Sequence, residues 1–171
     1  MTKLYSTTDD ALIATPFGKV AVAVHGDKLA IELLAPVNQQ QHSQVNVERE
    51  SAHLLVNATC QQIMRYLQAA KSTFDLPLEQ HGTAFQQRVW QAIAKIPCGE
   101  TRTYGELAHQ VGSGPRAVAN ACGANHLPLV VPCHRVVAQN GIGGFMQGQQ
   151  GGLLIKQWLL RHEGVRGYNG E

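Results

Sequence analysis

The stretch TYGELAHQVGSGPRAVANACGA, residues 103–124, decides the fold of this chain. Thr103 with Glu106 three residues on is a helix N-terminus signature, because each side chain can meet the other's free backbone N–H. A helix is therefore predicted over Thr103 to Val111, and Gly112-Ser113-Gly114 stops it. Pro115 to Ala124 reads as the next helix. Two short helices across a glycine turn make a helix-turn-helix candidate. The same pattern describes an ordinary helical hairpin in which Ala117, Ala119 and Ala121 permit close packing, and from pattern alone the hairpin is the simpler reading. Small residues would also let such a helix lie close to DNA in a narrow groove.

Toward the N-terminus, Thr83 to Ile96 reads as a helix capped by Thr83, with Phe85, Val89, Trp90 and Ile93 on one face and Pro97-Cys98-Gly99 ending it. Lys71 to Gly82, containing Pro77, reads as a linker. From about Glu48 to Ala70, Leu54, Leu55, Ala58, Ile63, Tyr66 and Leu67 recur at helical spacing. Asn38 to Asn46 is Gln-rich and reads as a surface loop. Leu12 to Ala14, Val20 to Val24 and Leu29 to Leu34 are short apolar stretches separated by turn residues, as in a small antiparallel sheet. The expected fold class is α/β of the α+β kind: residues 1–80 form a small antiparallel sheet with a covering helix, and residues 81–171 a mostly helical domain with a helix-turn-helix.

Toward the C-terminus, His126 to Pro132 is apolar and carries Pro128 and Pro132, so Val131 is pushed toward an extended conformation. Pro132-Cys133-His134-Arg135-Val136 follows. A thiolate is a strong nucleophile and a soft acceptor of alkyl groups, so a cysteine fixed beside an imidazole points to covalent chemistry at sulfur. Adjacent side chains in an extended segment diverge, which makes a direct hydrogen bond between Cys133 and His134 awkward. Gly141 to Gly152, rich in glycine and glutamine, reads as a mobile or closely approached loop. Leu153 to His162 reads as the last helix, with Leu154, Trp158 and Leu159 inward and Gly164 ending it.

The chain has 171 residues, 44% of them hydrophobic, which suffices for a buried core. No apolar run approaches the roughly 20 residues of a membrane-spanning helix, so no membrane partner is expected. Met1 to Asp10 is polar and shows no export signal. Cys60, Cys98, Cys122 and Cys133 match neither a CxxC pair nor a zinc knuckle. Reduced thiols in a cytoplasm are expected, with no metal and no cofactor. The net charge of +2 hides an asymmetry: residues 1–80 hold 6 Lys or Arg against 8 Asp or Glu, and residues 81–171 hold 8 against 4. Six of those eight cations are arginines, which suit phosphate contact, although a solvated basic face has the same composition.

With Pro132-Cys133-His134-Arg135-Val136 and Trp158-Leu159-Leu160-Arg161-His162-Glu163-Gly164, the sequence resembles the O6-alkylguanine-DNA alkyltransferase family, also called methylated-DNA-protein-cysteine methyltransferases. Phe85-Gln86, Ile96-Pro97-Cys98-Gly99-Glu100-Thr101, Tyr104 with Leu107-Ala108, and Arg116-Ala117-Val118 match as well. The N-terminal half matches only in general layout.

The resemblance implies that an alkyl group passes irreversibly from O6 of guanine, or O4 of thymine, in double-stranded DNA to Cys133. It implies that Glu163 orients His134, which acts on Cys133 through a water, and that Asn125 braces the turn around the site. Tyr104 would help rotate the nucleotide and supply a proton to the departing base. Arg116 would fill the gap left in the base stack, with Ala117 close to the DNA in the minor groove. Arg135 reads as a structural ion-pairing residue. A monomer without an obligate protein partner is expected.

Three features depart from the family pattern. The turn before Pro115 is about two residues shorter than in many members, the segment between Cys133 and Lys156 is about three longer, and Gly144-Phe145 stands where Gly-Tyr is usual. Two other classes compete with this reading. A binder that recognises the lesion without removing it lacks the acceptor cysteine, which is present here. A cysteine hydrolase uses Cys and His, but no oxyanion-hole or papain-like signature accompanies them.

Overall fold

The computed structural model describes residues 10–36, 44–77 and 80–168. The chain forms two compact units, Met1–Leu78 and Glu79–Glu171. In the first, β1 (Ala11–Thr15), β2 (Gly18–His25), β3 (Lys28–Leu34) and β4 (Asn46–Arg49) make an antiparallel sheet of order β3-β2-β1-β4. The alternation in β3 puts Leu29, Ile31 and Leu33 inside, and β1 and β2 add Ile13, Val20 and Val22. Helix α1 (Leu54–Gln68) covers the sheet with Val56, Ile63, Tyr66 and Leu67. Each such apolar side chain contributes about 1.5–3 kcal/mol by leaving water.

Glu48 and Arg49 do not begin the helix; they belong to β4, which pairs Val47 with Ile13 and Arg49 with Leu12 across a bulge. A four-residue edge strand of polar composition carries almost no periodic signal, and its charges suit an unpaired edge. The helix starts after His53, whose Nδ1 accepts from Leu55 N–H at 3.2 Å. Leu54, read as core, is 85% exposed. Most of the Gln-rich loop, residues 37–43, lies outside the described residues.

In the second unit, α2 (Ala84–Ala94) opens on a reciprocal cap in which Thr83 Oγ1 accepts from Gln86 N–H at 3.1 Å and Gln86 Oε1 from Thr83 N–H at 2.9 Å. The two-residue strand β5 (Arg102–Thr103) leads into α3 (Tyr104–Val111), where Thr103 and Glu106 repeat that cap at 3.0 and 2.9 Å. Gly112 ends α3 in the left-handed conformation, φ 70°, and the Ser113 N–H reaches back to Ala108 O at 2.8 Å. Helix α4 (Pro115–Gly123) follows, completing the helix-turn-helix, and Trp90 Nε1 anchors it by donating to Ala121 O at 2.8 Å.

The strand β6 (Val136–Val137) pairs in parallel with β5, and α5 (Gly152–His162) closes the unit. Leu154, expected inward, is 70% exposed; Ile155, Lys156, Leu159 and Leu160 are the buried face. No helix among the described residues is long and apolar enough to cross a membrane.

Candidate active site

The parallel pairing of Arg102 with Val136 and Thr103 with Val137 brings the start of α3 beside the segment that follows Cys133. Cys133–Arg135 form one 3-10 turn rather than extended backbone, and Arg135 N–H donates to Pro132 O at 2.9 Å. Pro132, with φ −81°, presets the turn, and its carbonyl takes the closing bond. Extended alternation therefore does not separate Cys133 from His134. In a turn of three residues, successive side chains still point about 120° apart.

Cys133 is 9% exposed. Asn125 Nδ2 donates to its Sγ at 3.3 Å and to Val131 O at 2.9 Å, while Asn125 Oδ1 accepts from Leu127 N–H at 2.9 Å and from Gln80 Nε2 at 2.7 Å. Burial pushes the thiol up; the Asn125 bond and the charge on Lys156 pull it down, but less. The resting group is a thiol, so any nucleophilic use of the sulfur would require its proton to leave.

His134 is 1% exposed, with Nε2 at 2.6 Å from Glu163 Oε2. Burial lowers its pKa more than Glu163 raises it, so the ring is neutral. A carboxylate at Nε2 requires the proton there, which leaves Nδ1 as an acceptor lone pair. Nδ1 is buried and meets no hydrogen-bonding group among the described residues. Arg135 completes the arrangement: Nε and an Nη donate to the two Glu163 oxygens at 2.7 and 3.2 Å, and the other Nη to Ile96 O at 2.7 Å. Arg135 is an ion-pairing residue, as read.

Tyr104 opens α3, and its hydroxyl donates to Gly144 O at 3.3 Å. Burial raises the phenol to about 12, so it keeps its proton near neutral pH. Gly143, at φ 76°, is required here, because a Cβ would stand 2.9 Å from Tyr104 Cε2 and 3.0 Å from Ala138 N. In this respect the glycine loop is closely approached. Arg116 and Ala117 stand in the first turn of α4, Arg116 exposed and Ala117 half-buried.

A family model described as "6-O-methylguanine DNA methyltransferase, DNA binding domain" matches residues 84–165. The constitutive methylated-DNA-protein-cysteine methyltransferase of Bacillus subtilis is 38% identical over 156 residues, 88% of this chain and 92% of that protein. The chain belongs to the methylated-DNA-protein-cysteine methyltransferase family. A crystal structure of Mycobacterium tuberculosis OGT in complex with DNA is 34% identical with a TM-score of 0.70, covering 91% of this chain and 93% of that one. Regulatory protein ada of Salmonella typhimurium is 48% identical over 117 residues, 65% of this chain, but the chain spans only 32% of that relative's length.

Within this member of the methyltransferase family, Lys156 is a site residue that the sequence reading missed. It is fully buried, and its Nζ donates to Val136 O at 2.7 Å and to Gly144 O at 2.9 Å. Nζ also lies 5.9 Å from the centroid of the Tyr104 ring. One carbonyl, that of Gly144, thus ties the lysine and the tyrosine together. Burial lowers the ammonium to about 8. The signal is a lysine one position after Ile155 on the helix face shared with Leu160; of Leu154, Trp158 and Leu159, expected inward, only Leu159 lies on the buried face.

The other cysteines divide. Cys60 is buried, whereas Cys98 and Cys122 are half-buried. Among the described residues no group of three or more His, Cys, Asp or Glu is placed to hold a metal ion.

Proposed function

We propose that the chain repairs alkylated DNA by moving the alkyl group from O6 of guanine, and from O4 of thymine, onto Cys133 once per protein molecule. The observation that carries this reading is the neutral His134, protonated at Nε2 by its contact with Glu163 and open at Nδ1, beside a buried thiol held by Asn125. A water passes the Sγ proton to Nδ1. The sulfur attacks the alkyl carbon in line, the carbon–oxygen bond breaks, and its electron pair goes to the purine. Tyr104 gives that purine a proton, so guanine leaves neutral, and a thioether remains on Cys133. The proton now on His134 balances the phenolate left on Tyr104, and both groups return to neutral as His134 releases its proton and Tyr104 regains one through solvent. A thioether is stable to water at neutral pH, so the protein is consumed.

A target atom inside a duplex is out of reach, so the nucleotide must rotate out of the stack at a cost of a few kcal/mol. Exposed Arg116 near the start of α4 is suited to occupy the gap, and half-buried Ala117 lets that helix approach the groove. The protein acts as a monomer in the cytoplasm, with acceptor and DNA-binding roles both in residues 81–171.

Substoichiometric protein mixed with excess O6-methylguanine duplex tests the reading. Repair is expected to stop when one lesion per protein molecule has been corrected; continued turnover would contradict it. Arg116→Ala tests the rotation step. Repair in duplex is expected to slow at least tenfold, about 1.4 kcal/mol or more, with little change toward free O6-benzylguanine. Equal losses on both substrates would remove Arg116 from that step.

A further inference from the structure

Gln80 lies just before the Thr83 cap, in a stretch whose sequence suggests only a connector. Yet its Nε2 donates to Asn125 Oδ1 at 2.7 Å, across 45 residues of sequence. We propose that Gln80 is a positioning residue for the acceptor cysteine, acting through Asn125 to fix and polarise the amide that faces the sulfur. The inference rests on Cys133 as the acceptor.

The Asn125 amide has two acceptor and two donor positions, and all four are met. Its oxygen receives Gln80 Nε2 and Leu127 N–H, and its nitrogen serves Val131 O and Cys133 Sγ. Rotating the amide by half a turn would set NH2 against two donors and oxygen against a carbonyl. The N–H is thereby held toward the sulfur. Two donors on the oxygen also draw electron density from the nitrogen, which strengthens the N–H donated to a sulfur gaining negative charge. Leu127 N–H belongs to the same turn as Asn125; Gln80 is the donor brought from elsewhere in the chain.

Other groups act on the same sulfur. Lys156 of α5 favours the thiolate, while Cys122 of α4 and Tyr104 of α3 disfavour it whenever they are ionised. His134, with Glu163 and Arg135 behind it, takes the proton. None of these is bonded to Gln80, so removing its side chain leaves them in place. With less help from Asn125 the thiolate is harder to form, so the alkylation rate should fall at neutral pH and recover at alkaline pH. Simple loosening of the site would lower the rate at every pH.

The test follows Cys133 alkylation by iodoacetamide across pH, read on the Cys133 peptide by mass spectrometry, in wild type, Gln80→Leu, Asn125→Ala and the double variant. Gln80→Leu is expected to slow the reaction about three- to tenfold at neutral pH, the range of one neutral hydrogen bond, with the loss closing at high pH. In the Asn125→Ala background it should add nothing. A Gln80→Leu profile coincident with wild type, or an equal loss without Asn125, overturns the proposal. If Asn125→Ala does not fold, the Gln80→Leu profile decides alone. Free O6-benzylguanine given to wild type separates the two readings: a benzyl group that never reaches Cys133 removes the acceptor role, while the iodoacetamide profiles still decide the part played by Gln80.

Discussion

Cys133→Ala is expected to abolish transfer completely while leaving binding to lesion-bearing duplex intact. Neither Cys60 nor Cys122 replaces it. Burial pushes Cys60 up to about 11 and is the largest cause raising Cys122, a cause that remains when Cys133 is gone, so both stay protonated and weakly nucleophilic. The fold should tolerate the change, because Asn125 Nδ2 keeps Val131 O when the sulfur goes. Arg116 and the rest of α4, which carry the proposed DNA contact, are untouched. A radiolabelled methyl group read on the protein, together with a duplex-binding isotherm, checks both halves. Retained transfer would refute the acceptor role of Cys133.

Glu163→Ala carries the second large effect. The carboxylate is fully buried and is the shared partner of His134 and Arg135. Its removal strands a guanidinium and a ring N–H, and breaking a buried pair in this way costs about 3–5 kcal/mol. Thermal unfolding checks this. Glu163→Gln keeps the shape but puts an NH2 against one of two donors, so the His134 tautomer is no longer dictated. Transfer to free O6-benzylguanine should then fall by about four orders of magnitude, as when the orienting partner of a catalytic histidine is neutralised.

The pH dependence has a definite sign. The folded His134 pKa lies below its ordinary 6.5, so between the two values the unfolded chain binds a proton that the folded chain does not. This contribution to stability is present above 6.5 and is lost as pH falls through the lowered folded value. A melting temperature that rose on acidification, in a form dependent on His134, would contradict the neutral assignment.

Much of this was legible in local sequence. Thr83, and Thr103 with Glu106, announced two helix starts because capping is a contact over three residues, and Gly112-Ser113-Gly114 marked the turn because a left-handed residue ends a helix there. The Cys133 segment stood out by chemistry. What escaped depends on distance along the chain. Gln80 meets Asn125 across 45 residues, and Lys156 meets Gly144 only after α5 has chosen which of two leucine-bearing faces to bury. The edge strand at Asn46–Arg49 escaped because one apolar residue, Val47, sets no period. The turn at Cys133 escaped because proline's bias on the preceding residue says nothing about the residues that follow.

The proposed product is a permanent carbon–sulfur bond at Cys133, and peptide mass mapping of the protein after incubation with an O6-methylguanine duplex reads it out. One methyl on the peptide containing Cys133, none on those containing Cys60, Cys98 or Cys122, and guanine restored in the DNA is the expected result. Restored guanine with an unmodified Cys133, or a methyl on another residue, would contradict it.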